Sequence, residues 1–83
     1  MGLKISFYGS LGDRIGREAE LDLPTAGCTV AELRQRLIAA FPDAEADLAR
    51  PSLRACVGDI IVGEDHRVQG DQSVEFFPPL SGG

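Results

Sequence analysis

Apolar and polar side chains alternate with a period of two in Leu3-Lys4-Ile5-Ser6-Phe7-Tyr8. That pattern predicts a half-buried strand with Leu3, Ile5 and Phe7 facing inward. Residues 18–23 alternate again, with Ala19, Leu21 and Leu23 inward, acids outward and Pro24 as the stop. The connection between them is punctuated by Gly9, Gly12 and Gly16. Leu11 and Ile15, four apart, fit one helical turn folded back on the core. Two strands with a short connection predict an antiparallel hairpin. The period then lengthens. Thr29 and Glu32 make a capping-box pattern, and behind it Val30, Leu33, Leu37, Ile38 and Phe41 fall at helical spacing. Arg34, Gln35 and Arg36 are assigned to the opposite face, and Pro42 ends the helix. The acidic, alanine-rich residues 43–50 fit a short helical turn anchored by Leu48 and closed by Pro51.

Strand patterns return at residues 53–57 and at Ile60-Ile61-Val62, separated by Gly58-Asp59. A two-residue turn with glycine first suits type II′ hairpin geometry. Val68 anchors the polar loop that begins at Gly63, and Gly70-Asp71 makes the next turn. In the last strand Val74 and Phe76 face inward, Glu75 outward, and Phe77 points to the other face. The order β-β-α-β-β-β predicts an α+β fold, a mixed sheet with one main helix packed across it. The right-handed crossover rule sets the first and last strands side by side at the centre, running parallel.

Length and charge narrow the function. With 83 residues the chain has room for one domain, over residues 1–83. The net charge is −5, and its distribution is uneven. Residues 1–42 hold five basic and five acidic side chains, residues 43–83 three basic and eight acidic. The excess lies in the C-terminal half and disfavours nucleic acid, which needs basic patches. It fits a partner with a basic docking surface, through steering more than affinity. No run is long enough to span a bilayer and no secretory leader pattern is present, so no membrane association and a cytoplasmic location are expected. Cys28 and Cys56 read as core or near-core residues, and the single histidine, His66, as a loop residue. A zinc-type ligand set is not expected, and the glycines of residues 9–16 lack the Gly-Lys-Ser/Thr of a phosphate loop. The side chains suggest no nucleophile–base pair.

The chemistry is sought at the end of the chain, Phe76-Phe77-Pro78-Pro79-Leu80-Ser81-Gly82-Gly83. Pro78 and Pro79 favour extended backbone and hold a tail of residues 78–83 away from the body. Fully extended, that tail reaches about 20 Å. Gly82 and Gly83 lack a Cβ and fit a channel too narrow for other residues. The arrangement is a stiff spacer carrying a slim carboxylate, expected to be flexible in the free protein.

Taken whole, this ending resembles that of the MoaD/ThiS family of ubiquitin-like sulfur carriers, in the branch that forms the small subunit of molybdopterin synthase. There a G-D-x-V-x-F-F-P-P-[VL]-[ST]-G-G ending is typical. This chain has Gly70-Asp71, Val74, Phe76-Phe77-Pro78-Pro79-Leu80-Ser81-Gly82-Gly83. The element order matches the family's β-grasp, so the resemblance covers essentially the whole chain. It departs at Gly58, where members often carry Asn. It departs also at Gln72-Ser73, where one residue is usual before the strand valine. The extra residue implies a longer turn or a bulge.

The resemblance implies that an E1-like adenylating enzyme uses ATP to activate Gly83. A sulfur donor then converts it to a thiocarboxylate (1-thioglycine), and no cofactor is held stably. It implies that the tail enters the large subunit of molybdopterin synthase, in a heterotetramer of two small and two large subunits. There it donates sulfur to a pterin precursor, with the catalytic groups on the large subunit. Residue by residue, Gly83 carries the sulfur and Gly82 permits close backbone approach. Ser81, Leu80, Pro79 and Pro78 form the arm, with Leu80 an apolar anchor. Phe77 is a candidate docking aromatic. Four rival readings stay open: a carrier for thiamine synthesis, one for cysteine synthesis, a ubiquitin-like modifier, and a β-grasp binding module that carries nothing.

Overall fold

A computed structural model describes residues 2–78. The strands are β1 (Leu3–Phe7), β2 (Glu18–Leu21), β3 (Cys28–Thr29), β4 (Arg54–Val57), β5 (Ile60–Val62), β6 (Arg67–Val68) and β7 (Ser73–Phe77). The helices are α1 (Ser10–Ile15), α2 (Val30–Ala40) and α3 (Glu45–Leu48), the last preceded by a 3₁₀ turn over Pro42–Ala44. Five strands form one sheet in the order β2-β1-β7-β4-β5. The β1–β7 pair is parallel and every other pair in it antiparallel. β7 lies between the antiparallel pairs β1–β2 and β4–β5 and runs parallel to β1, with α2 across one face. This is the ubiquitin-like β-grasp that the sequence predicts.

Alternation along the strands explains which face α2 covers. Leu3, Ile5 and Phe7 of β1, Ala55 and Val57 of β4, and Val74 and Phe76 of β7 point to the helix and are buried. They meet Val30, Leu33 and Leu37 of α2, with Leu11, Leu48, Leu53 and Val68 closing the sides. Ala19, Leu21, Ile38 and Phe41 pack at the margin, half-buried. Burying each large aliphatic or aromatic side chain contributes roughly 1.5–3 kcal/mol before entropy is subtracted.

The start of α2 satisfies its free amides in sequence. The Val30 and Ala31 N–H groups donate to the carbonyls of His66 (2.9 Å) and Glu64 (3.0 Å). The Glu32 N–H donates to Thr29 Oγ1 at 3.1 Å, and the Thr29 N–H to Glu32 Oε1 at 2.8 Å. The capping box is therefore complete. The Thr29 N–H bond is the main cause holding the Glu32 carboxyl below its ordinary pKa. This stabilisation is present above the unfolded carboxylate pKa and fades as pH falls through the lowered folded value. Thr29→Ala should cost about 1 kcal/mol, or roughly 4–8 °C in melting temperature for a domain of this size. A variant that melts with the parent would show that the cap contributes nothing.

Three expectations change. The first concerns Arg34, which lies buried at 6% exposure and not on the outer face of α2. Its guanidinium donates to the carbonyls of Leu48 (2.9 Å), Arg50 (3.2 Å) and Leu53. It also makes a two-pronged pair with Glu64, Nε to Oε1 and Nη2 to Oε2, each at 2.9 Å. Its Cζ sits 5.5 Å from the centre of the Phe76 ring. One planar cation thus ties α2 to the segment entering β4, to the loop before β6 and to β7. Position 34 is four after Val30 and four before Ile38, inside the apolar stripe. The periodicity marked it as inward, and its charge misled.

The second concerns the β4–β5 turn. Gly58 and Asp59 both have positive φ, 59° and 67°. That is the type I′ signature, not type II′, and its twist matches the flanking strands. The third concerns Gln72-Ser73. The Gln72 N–H donates to the Gln69 carbonyl at 3.1 Å, while the Gln69 N–H donates to Gln72 Oε1 at 2.7 Å. The extra residue closes a turn, and Ser73 already pairs with Lys4. The β7 register runs unbroken from Ser73 to Phe76 against β1, without a bulge. A small antiparallel ladder, Cys28 with Val68 and Thr29 with Arg67, adds a second sheet. Two-residue strands are too short to display a period.

Candidate functional site

Central strand β7 runs out at Phe77, and the root of the C-terminal segment is built there. Phe77 faces away from α2, as its parity requires, and is half-buried. Tyr8, the next residue after β1, covers it. The two rings stack with centroids 4.7 Å apart and planes 4° from parallel. The Tyr8 hydroxyl donates to Glu75 Oε2 at 2.9 Å. That hydrogen bond is the first cause raising the Tyr8 pKa, followed by the Glu75 charge. The Tyr8 N–H donates to the Phe76 carbonyl at 3.1 Å, extending the parallel ladder one step beyond β1.

Pro78 lies on Gly9, whose φ of +72° is unfavourable for residues with a Cβ. A Cβ there would stand 2.5 Å from Pro78 Cγ, so the proline ring occupies the space a side chain would need. Pro78, the first residue of the sequence-predicted tail, is accordingly half-buried. Of the expected site residues, the structure describes Phe77 and Pro78. Pro79, Leu80, Ser81, Gly82 and Gly83 lie outside the described residues. Sequence reasoning missed Tyr8, Gly9 and Glu75 as neighbours of the tail root. Period-two parity places Tyr8, Glu75 and Phe77 on outward faces, but only the β1–β7 register brings them together.

The outward sheet face around this root is mixed in character. Glu18 pairs across with Ser6, Glu20 with Lys4, and Cys56 with both Glu75 and Ile61. Tyr8 is 43% exposed and Ile61 66%. The two thiols are buried and free. Burial is the first cause pushing both up from the ordinary cysteine value, reinforced at Cys56 by the charges of Glu75 and Asp59. Neither is an activated thiolate. Among the described residues, no group of three or more His, Cys, Asp or Glu is gathered as a metal site. Among them also, no helix is long and apolar enough to cross a membrane.

The ThiS family matches residues 5–83, nearly the full length. The chain belongs to the ThiS family. A curated relative agrees: this ThiS-family chain is 31% identical to the molybdopterin synthase sulfur carrier subunit of Escherichia coli (strain K12). The alignment covers 98% of this chain and 99% of that protein. Among solved structures, SAMP1 from Haloferax volcanii is similar, with a TM-score of 0.82, 19% identity and full coverage of both chains. Urm1 from Trypanosoma brucei has a TM-score of 0.69 at 22% identity, covering 99% of this chain and 95% of that one. At those identities the structures speak for the fold. Membership in the ThiS, or MoaD/ThiS, group accords with the sequence resemblance.

Proposed function

We propose that this chain is a sulfur carrier, a single β-grasp unit over residues 1–83, with sulfur borne on the C-terminal carboxylate of Gly83. The observation that supports it most is the relation between tail and fold. The central strand of the sheet ends in a packed root at Phe77-Pro78, directly before Pro79-Leu80-Ser81-Gly82-Gly83, in a chain akin to a sulfur carrier subunit. A carboxylate is a poor acyl donor because its leaving group would be oxide. Attack of the Gly83 carboxylate on the α-phosphate of ATP, in an E1-like adenylating enzyme, releases pyrophosphate and leaves an acyl-adenylate. A sulfide-equivalent nucleophile from a sulfur donor then displaces AMP and leaves a thiocarboxylate.

The 31% identity to the molybdopterin synthase subunit favours a pterin precursor as acceptor, in a synthase with a separate large subunit. The resemblance suggests two copies of each subunit. In this reading Gly82 lets the backbone pass close to its targets. Leu80 anchors the arm, Pro78, Pro79 and Ser81 space it, and Phe77 takes part in docking. ATP belongs to the activating enzyme, and a cytoplasmic setting follows from such partners. The raised thiol pKa values of Cys28 and Cys56 support a carrier that works through its terminus rather than through a side-chain sulfur.

Intact mass measured after incubation with ATP, the Escherichia coli adenylating enzyme of the molybdopterin branch and a sulfide source is the direct test. The expected product carries one sulfur in place of one oxygen, located to Gly83 by fragmentation. Sulfur found on a cysteine, or an unchanged mass, would overturn the reading.

A further inference from the structure

We infer that Tyr8 and Gly9 form a clamp that fixes the direction in which the C-terminal segment leaves the sheet, and so act as positioning residues for delivery of Gly83. This inference rests on the carrier reading. Two independent contacts hold consecutive residues. The Tyr8 ring lies flat against Phe77 at 4.7 Å and is itself held by its hydroxyl bond to Glu75. The bare Cα of Gly9 receives the Pro78 ring. Both clamp residues are continuous with β1, which is locked to β7 in parallel register and by the Tyr8 N–H bond to Phe76. The clamp therefore stands on the two central strands.

The consequence is geometric. Five residues follow Pro78, an extended reach of about 17 Å. A swing of about 30° at the root moves the far end by roughly 9 Å over that reach. A reacting carboxylate must come within about 3–3.5 Å of its target, and small misplacements cost large factors in rate. A root already held lowers the ordering cost of insertion. The space that a side chain on Gly9 would need is taken up by the Pro78 ring. Enlarging Gly9 should therefore disturb aim while leaving the outward side chains in place.

The experiment compares the parent with Gly9→Ala, Tyr8→Leu and Tyr8→Phe in two arms. In the first, backbone Cα–H order parameters are measured on the free chain at Pro78, because Phe77 is also paired with Arg54 of β4. Pro78 is expected near the rigid value of about 0.85 in the parent and below about 0.7 in Gly9→Ala and Tyr8→Leu. In the second, adenylation of each chain by the Escherichia coli enzyme is followed by pyrophosphate release. Gly9→Ala should lose about tenfold in kcat, with KM for the carrier within about twofold. Tyr8→Phe keeps the stack and drops only the Glu75 bond, so it should recover most of what Tyr8→Leu loses. A Pro78 as rigid in both disruptive variants as in the parent would overturn the clamp. So would an unchanged kcat, or a loss carried wholly by KM. A parent chain that releases no pyrophosphate would instead overturn the carrier reading, and the order-parameter arm would still decide whether Tyr8 and Gly9 hold the root. If Gly9→Ala fails to fold, the Tyr8 pair decides both arms.

Discussion

A chain lengthened beyond Gly83 is expected to form no thiocarboxylate at that residue while folding and melting like the parent. The Gly83 carboxylate becomes an amide, whose oxygen cannot attack ATP as a carboxylate does. The new terminal carboxylate lies about 3.5 Å further on, past the place the arm can deliver. Gly82→Val should fail for a different reason. A β-branched side chain demands width and restricts the backbone where bare glycine would slip through. Neither change alters a residue of the core formed by the described residues, so thermal melts should coincide with the parent. Cys28→Ser and Cys56→Ser are the counter-experiment. Both thiols are buried and raised in pKa, so each serine should lower stability yet leave sulfur transfer possible. The readout is thiocarboxylate formation by mass spectrometry beside a melt of each variant. An extended chain that still transfers sulfur untrimmed would sink the proposal. So would a well-folded cysteine variant that cannot transfer it.

The largest effect on stability is expected at Arg34. Arg34→Ala strips partners from the Leu48 and Leu53 carbonyls, both bonded in buried surroundings, and empties the space over Phe76. An unsatisfied buried carbonyl costs roughly 1–3 kcal/mol. A total near 3 kcal/mol is therefore expected, or more than about 12 °C in melting temperature. Arg34→Lys should recover only part, because an ammonium cannot reproduce a planar fork aimed at three carbonyls and a carboxylate. Glu64→Ala should cost clearly less than Arg34→Ala, since the Glu64 side chain is 55% exposed and Arg34 keeps its three carbonyl acceptors. Urea denaturation of the three variants checks this order. An Arg34→Ala loss below about 1 kcal/mol, or a Glu64→Ala loss as large as that of Arg34→Ala, would refute the account of Arg34 as a buried tie.

Residue patterns alone determined the main strands and the long helix because the signals for each are local. Period-two alternation in residues 3–8 and 18–23 reports that one face of each strand is buried. The Thr29–Glu32 box and Pro42 mark where α2 begins and ends through backbone chemistry within a few residues. The proline and glycine content of the C-terminal segment marked it as the place to look for chemistry. Arg34 was half legible, since its position lay on the inward stripe. Its role required three carbonyls brought in from residues 48–53, which α2 cannot announce. The type I′ turn depended on the conformation of Asp59, which carries no unique residue signal. The β3–β6 ladder joins pairs too short for any pattern. The root of the tail was decided wholly by tertiary structure. Tyr8 and Glu75 stand 67 residues apart, and Gly9 meets Pro78 across a similar span. They touch because β1 and β7 pair in parallel with Phe7 opposite Phe76. A shift of one residue would turn Phe77 towards the core and leave Tyr8 without its ring partner. Periodicity tells each side chain which way to face, but register alone tells it whom it meets.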